Sequence, residues 1–186
     1  MQNRRFDEYE GKMTMRVLVT YATKHESTAE IAAKIGEILT ENGLAVDVSE
    51  IHQVNDLGSY TVVIVGSAIY FGDWHKAMIG FLRTNEELLI MRDVWIFSSG
   101  PTGEKDTTEL LAEWRFPARL RPLLKRIQPH DAVVFFGNLD PDKLNFIEKG
   151  VVKVIKAPIG DYRDWDEIQA WATKIANRLN ASTEGI

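Results

Sequence analysis

Cysteine is absent from the 186-residue chain, which excludes disulfides, thiolate metal sites, iron–sulfur clusters and thiol catalysis. Any redox chemistry must therefore come from a bound organic cofactor. No stretch reaches the ~18 apolar residues of a spanning helix, and the opening "MQNRRFDEYEGKMTM" lacks the apolar core of a secretory signal. Positive charge is not in excess either. The net charge of -5 argues against a dedicated nucleic-acid binder, and no zinc-finger, RRM or helix-turn-helix pattern occurs. G-x-x-x-x-G-K-[ST] and G-x-G-x-x-G are both missing, and with them the ATP and dinucleotide fingerprints. His25, His52, His75 and His130 lack metal-ligand spacing, so no metal is expected. No Ser-His-Asp order converges on one loop edge, which leaves hydrolysis without support.

What is present suits one domain: 45% of residues are hydrophobic and 26% charged, in a length typical of about 100–200 residues per domain. The expected boundaries are a disordered leader over 1–14, the domain over 15–180 and a tail over 181–186. "RVLVTY", "LAVDVSE", "YTVVIVGSAI", "DVWIFSSG" and "DAVVFFGNL" read as strands. Helices are expected between them, near Trp74 to Leu82, Pro117 to Ile127 and Asp164 to Leu179. Another follows the first strand, with Ile31, Ile35, Ile38 and Leu39 on one face, Ser27 and Glu30 as a capping box, and Gly43 as its left-handed end. Apolar strands alternating with helices predict an α/β fold, a doubly wound five-stranded parallel sheet with helices on both faces.

Ligands of such sheets bind beyond the carboxyl ends of the strands, so the loops after strands matter most. "ATKHEST" follows the first strand, "AIYFGDWH" the third and "SSGPTG" the fourth. The first carries the hydroxyls of Thr23, Ser27 and Thr28 with Lys24 and His25 at a helix start, which suits a phosphate or an ordinary capped turn. In the second, Tyr70 is the candidate stacking wall beside Ala68, Ile69 and Gly72, whereas Phe71 and Trp74 better fit core packing. The third, Ser99, Gly100, Pro101, Thr102 and Gly103, either lays backbone against a flat heterocycle or forms a tight polar turn.

These three loops, in this order, resemble those of the flavodoxin-like superfamily from Arg16 to about Leu179. "VTYATKHESTAEIA" is similar to its phosphate-loop opening. "GSAIYFGDWHKAM", "GNL" and "DYRDWDEIQAWATKIA" resemble the branch of menaquinone-dependent protoporphyrinogen oxidases and related flavodoxin domains. The resemblance implies FMN, with Thr23 to Thr28 (Lys24, His25, Glu26 and Ser27 between them) at its phosphate, Ile69 to Gly72 flanking the ring and Ser99 to Gly103 over the other edge. Glu26 departs from the family's usual glycine and sets a carboxylate beside the expected phosphate, where like charges repel and the backbone angles suit glycine. "SSGPTG" also departs, having no aromatic residue, which leaves one ring face open and suits a substrate or quinone.

Asp140 to Gly160, "DPDKLNFIEKGVVKVIKAPIG", reads as an extra amphipathic helix with Leu144, Ile147, Val151 and Ile155 on one stripe and Lys149, Lys153 and Lys156 on another. It is either a core-packed helix with a solvated lysine face or a contact for an anionic membrane surface or partner. Arg115, Arg119, Arg121, Lys125 and Arg126 form a second basic group, a solvated face or a receiver of porphyrin propionates. The expected function is an FMN-dependent oxidoreductase linked to a quinone or redox partner protein, with a porphyrinogen as candidate substrate. Alternatives are a soluble flavodoxin electron carrier and a flavodoxin-fold module that has lost FMN. The expected location is the cytoplasm, at or near the inner face of the membrane.

Overall fold

The computed structural model describes residues 15–70, 73–100, 102 and 117–184. Strands β1 (Arg16–Ala22), β2 (Ala45–Glu50), β3 (Val62–Tyr70), β5 (Asp93–Ser99) and β6 (Asp131–Phe135) form a parallel sheet in the order β2-β1-β3-β5-β6. A short strand, β4 (Asp73–Trp74), runs antiparallel to the end of β3, pairing Ile69 with Trp74. The five expected strands are all there, and β4 is an addition. Strand order reverses between β1 and β3, so the crevice beyond their carboxyl ends is where such a sheet offers a site.

Both faces of the sheet are covered, which is why the strand sequences are nearly continuous apolar runs. Alternate side chains go to opposite sides. Val17, Val19, Ile64 and Phe97 pack with Ile31, Ile35 and Leu39 of α1 (Ser27–Glu41) and with Ile168, Ala172 and Ile175 of the last helix. Leu18, Val63, Val65 and Ile96 pack on the other side, with Met78 and Leu82 of α2 (Lys76–Thr84), Leu89 of α3 (Glu86–Ile90) and Leu124 of α4 (Arg121–Ile127).

Several boundaries differ from the sequence expectation. Trp74 lies in β4, because Asp73 accepts the Trp74 N–H and the Trp74 indole donates to Ser98 Oγ at 3.0 Å; the helix starts only at Lys76. The Pro117 to Ile127 segment divides into a 3-10 turn, Ala118–Leu120, and α4, which begins with Pro122 in its first turn. The last helix, α6 (Trp165–Glu184), continues past Leu179. Gly43 does close α1, at φ 84°.

The capping box expected at Ser27 and Glu30 is not formed. The residue before α1 is Glu26, in the left-handed region at φ 66°, with no side-chain cap, and Ser27 is already helical. A capping box occurs instead at the start of α5 (Phe146–Ile155), where Asn145 and Glu148 bond each other's backbone N–H groups. Expected stripe residues divide accordingly. Leu144 is buried but precedes α5, while Ile147 faces solvent, because Glu148 takes the inward position. A second small sheet, β7 (Asn138–Leu139) with β8 (Gly160–Asp161), brackets this element.

Candidate functional site

The carboxyl edge of the sheet is unusually polar for a buried surface. Thr20, Ser67, Ser98 and Ser99 are all buried there. Two of these hydroxyls are used to fold the β3–α2 connection back on the sheet: Ser67 Oγ accepts the His75 N–H at 3.1 Å, and Ser98 Oγ accepts from Trp74. His75 therefore sits against the end of β3, with its Nδ1 buried and, among the described residues, without a hydrogen-bond partner.

Ser27 is the meeting point of the loops. Its Oγ lies 3.4 Å from Ser99 Oγ at the end of β5 and accepts the Asn138 N–H at 3.1 Å from the turn after β6. Beside it the backbone closes in: a Cβ on Gly137 would come within 3.2 Å of Gly100 Cα, and one on Gly100 within 3.2 Å of the Ile69 carbonyl oxygen. Gly100 also has φ +129°, a conformation that L side chains rarely adopt. The chain ends of β1, β3, β5 and β6 are thus brought to one place.

At this junction α1 presents its first turn. Thr28 and Ala29 have no carbonyl four residues back within the helix, so their N–H groups point outward at the positive end of the helix dipole. Thr23 and Ser27 are half-buried and Thr28 is buried. Hydroxyls, helical N–H groups, the Lys24 cation and the His25 ring make a donor set for an anion, beside the tightly packed backbone of Ile69, Gly100 and Gly137. The donor set fits a phosphate group such as that of FMN.

Glu26 occupies the left-handed position that favours glycine, a strain of about 1–2 kcal/mol for an L residue. Its carboxylate does not face the loop uncompensated. It is 68% exposed and ion-paired with Lys143, whose hydrogen bond holds the Glu26 carboxyl below the usual carboxylate range. The same bond raises the Lys143 ammonium. Arg163, almost fully buried, ties α1 to β8 by binding Glu30 and gripping Asp161 through Nε at 2.8 Å; it also lies over the Trp165 ring. Its hydrogen bonds hold the Asp161 carboxyl low.

Of the expected site residues, Thr23, Lys24, His25, Glu26, Ser27, Thr28, Ala68, Ile69, Ser99, Gly100 and Thr102 lie at the carboxyl ends of the strands or in the loops just after them. Phe71, Gly72, Pro101 and Gly103 lie outside the described residues, as do Arg115 and the side chain of Tyr70. Gly137, Asn138, Lys143, Glu148 and Arg163 belong to the same neighbourhood without having been singled out as site residues. Within the second basic group, Arg119 pairs with Asp73 and Arg126 with Glu86, as a solvated face would. Among the described residues, no cluster of His, Asp and Glu could hold a metal ion.

Comparison with known proteins gives a consistent likeness. The model of the flavodoxin domain family matches residues 18–166. A protoporphyrinogen IX dehydrogenase [quinone] of Escherichia coli strain K12 is 23% identical over 185 residues, covering 91% of this chain and 99% of that protein. Among solved structures, a flavodoxin from the domain Archaea superposes with a TM-score of 0.58 at 15% identity, covering 89% of this chain and 99% of the other. The rubredoxin oxygen:oxidoreductase of Desulfovibrio gigas gives 0.59 at 20% identity, with 89% of this chain aligned to 36% of that one.

Proposed function

The chain belongs to the flavodoxin domain family, and from that premise we propose that it is an FMN-dependent oxidoreductase exchanging electrons with a quinone, of the class that oxidises protoporphyrinogen. The observation that carries this reading is the junction at Ser27, Gly100 and Gly137, where the start of α1, with its hydroxyl and N–H donors, meets the closely packed chain ends of β3, β5 and β6. FMN, when bound, supplies the redox chemistry, which no thiol of this cysteine-free chain provides. The protein's part is to bind, orient and shield. Thr23, Ser27, Thr28 and the first N–H groups of α1 would hold the phosphate, Lys24 would add positive charge and His25 a further donor, and Ile69 to Gly72 with Ser99 to Gly103 would flank the ring.

The porphyrinogen substrate is supported by the name of the E. coli relative, which is matched over nearly its whole length. The lack of an aromatic residue in "SSGPTG" supports an accessible ring face rather than the shielded one of a carrier. In the assay, purified protein with FMN, reduced porphyrinogen and a soluble quinone is expected to yield fluorescent porphyrin at a rate dependent on both protein and quinone. Hydrogen removed from the porphyrinogen as electrons and protons then appears in the quinol. Fast electron exchange with a reductase but no porphyrin formation would establish the carrier reading in its place.

The outward face of α5 supports a place to meet a lipid-dissolved quinone. Phe146 is 91% and Val154 81% exposed, beside exposed Ile147, while Lys149, Lys153 and Lys156 line the adjoining sector. Among the described residues, none of these lysines makes an ion pair. An apolar strip with a lysine border suits an anionic bilayer surface, each lysine contributing about 1 kcal/mol there. No described helix is long and apolar enough to cross a membrane. Co-sedimentation with vesicles containing anionic phospholipid is expected, and replacing all three lysines by glutamate should abolish it. Equal binding to neutral vesicles, or none to either, would contradict the assignment.

A further inference from the structure

Glu148 is a buried carboxylate, 7% exposed, on a helix that turns several apolar side chains outward. Half of its role is structural. Oε2 accepts the Asn145 N–H at 3.0 Å and the Glu148 N–H reaches Asn145 Oδ1 at 2.9 Å, which closes the start of α5. The other oxygen faces the β1–α1 loop: Oε1 lies 2.6 Å from Lys24 Nζ and 3.4 Å from His25 Nε2. A capping box needs only one of these oxygens, and glutamine serves it as well as glutamate. The charge is surplus to the cap.

We propose that Glu148 is an internal counter-anion of the phosphate loop, competing with an incoming phosphate for Lys24 and His25 and so setting how strongly the site prefers a phosphorylated flavin. The inference rests on the FMN reading above. Glu148 is buried and Lys24 is 41% exposed, so their attraction is screened only in part and the loop's cation is not at a phosphate's free disposal. The nearby Glu26 pairs with Lys143, whereas Glu148 contacts the loop's own Lys24 and His25. Linkage makes the competition reciprocal: a phosphate that draws Lys24 away loosens the tie between this loop and α5.

The test is Glu148→Gln, which removes the charge and keeps the capping box, followed by titration with FMN and with riboflavin, which has no phosphate. FMN affinity is expected to rise about tenfold, a size typical of coupling between sites, with riboflavin binding unchanged. In a Lys24→Met background the same substitution is expected to give at most about a twofold gain, because the contested cation is gone. A Glu148→Gln protein whose FMN affinity is unchanged or weaker, or whose FMN and riboflavin affinities rise together, would overturn the proposal while the wild type still binds FMN. Should the wild type bind neither flavin, the FMN reading itself fails, and the inference with it. Should Glu148→Gln misfold, the wild-type protein carries the test: the side-chain carboxyl carbon resonance of Glu148 is expected to shift on adding FMN and to stay in place with riboflavin, and an equal response to both ligands, or to neither, would overturn the proposal.

Discussion

Gly66→Ala is expected to destabilise the fold by about 3 kcal/mol, the upper end of the usual overpacking cost. Gly66 lies in the centre of the sheet, paired with Tyr21 on one side and Phe97 on the other. A Cβ there would overlap the Phe97 ring, with Cε1 at 2.5 Å and Cε2 at 2.7 Å. The ring has nowhere to go. Phe97 is fully buried and packs against Phe135 and Trp171 at centroid distances of 6.2 and 6.3 Å. Urea unfolding should show a lowered midpoint at unchanged slope. Adding Phe97→Leu should recover part of the loss, since residues in contact do not behave additively. A cost below about 1 kcal/mol for Gly66→Ala alone would mean that the Phe97 ring yields and that this part of the core is loosely packed.

Gly100→Ala is expected to weaken FMN binding at least about tenfold, while costing about 1–3 kcal/mol of stability from its backbone conformation alone. The two effects have one cause. At φ +129° an alanine is strained, and its Cβ would sit 3.2 Å from the Ile69 carbonyl, a backbone atom that cannot swing aside. Relief requires the β3 and β5 chain ends to part, and those ends border the proposed flavin site. Fluorescence titration read beside a urea curve separates the affinity loss from global unfolding. Wild-type affinity in a folded Gly100→Ala protein would show that this junction does not shape the flavin site.

Much of this architecture is legible in the sequence because it is local. β-branched runs such as "RVLVTY" and "VVIV" announce strands buried on both faces, and Ile31, Ile35 and Leu39 announce the inner face of α1. The hydroxyl-rich loop is equally local. What escapes is what depends on partners far along the chain. Ser27 reads as a helix cap until Asn138, 111 residues away, donates to it. Glu26 reads as a liability until Lys143, 117 residues on, pairs with it. Nor does periodicity show that α5 would turn Glu148 inward and Phe146 outward, because an amphipathic pattern is read on the premise that apolar side chains face the core. The N-x-x-E pattern of Asn145 and Glu148 was a readable cap signal, and it lay outside the loops that draw attention in this fold.

The central claim is that the loops meeting at Ser27 hold FMN, and the direct measurement is a titration of protein stripped of any ligand, followed by flavin fluorescence and the visible spectrum. Saturable one-to-one binding with quenched fluorescence is the predicted result, weakened when Thr28→Ala removes a hydroxyl from the first turn of α1. Absence of saturable binding at high FMN, in a protein that is folded by circular dichroism, would contradict the account and leave a flavodoxin fold serving chemistry of another kind.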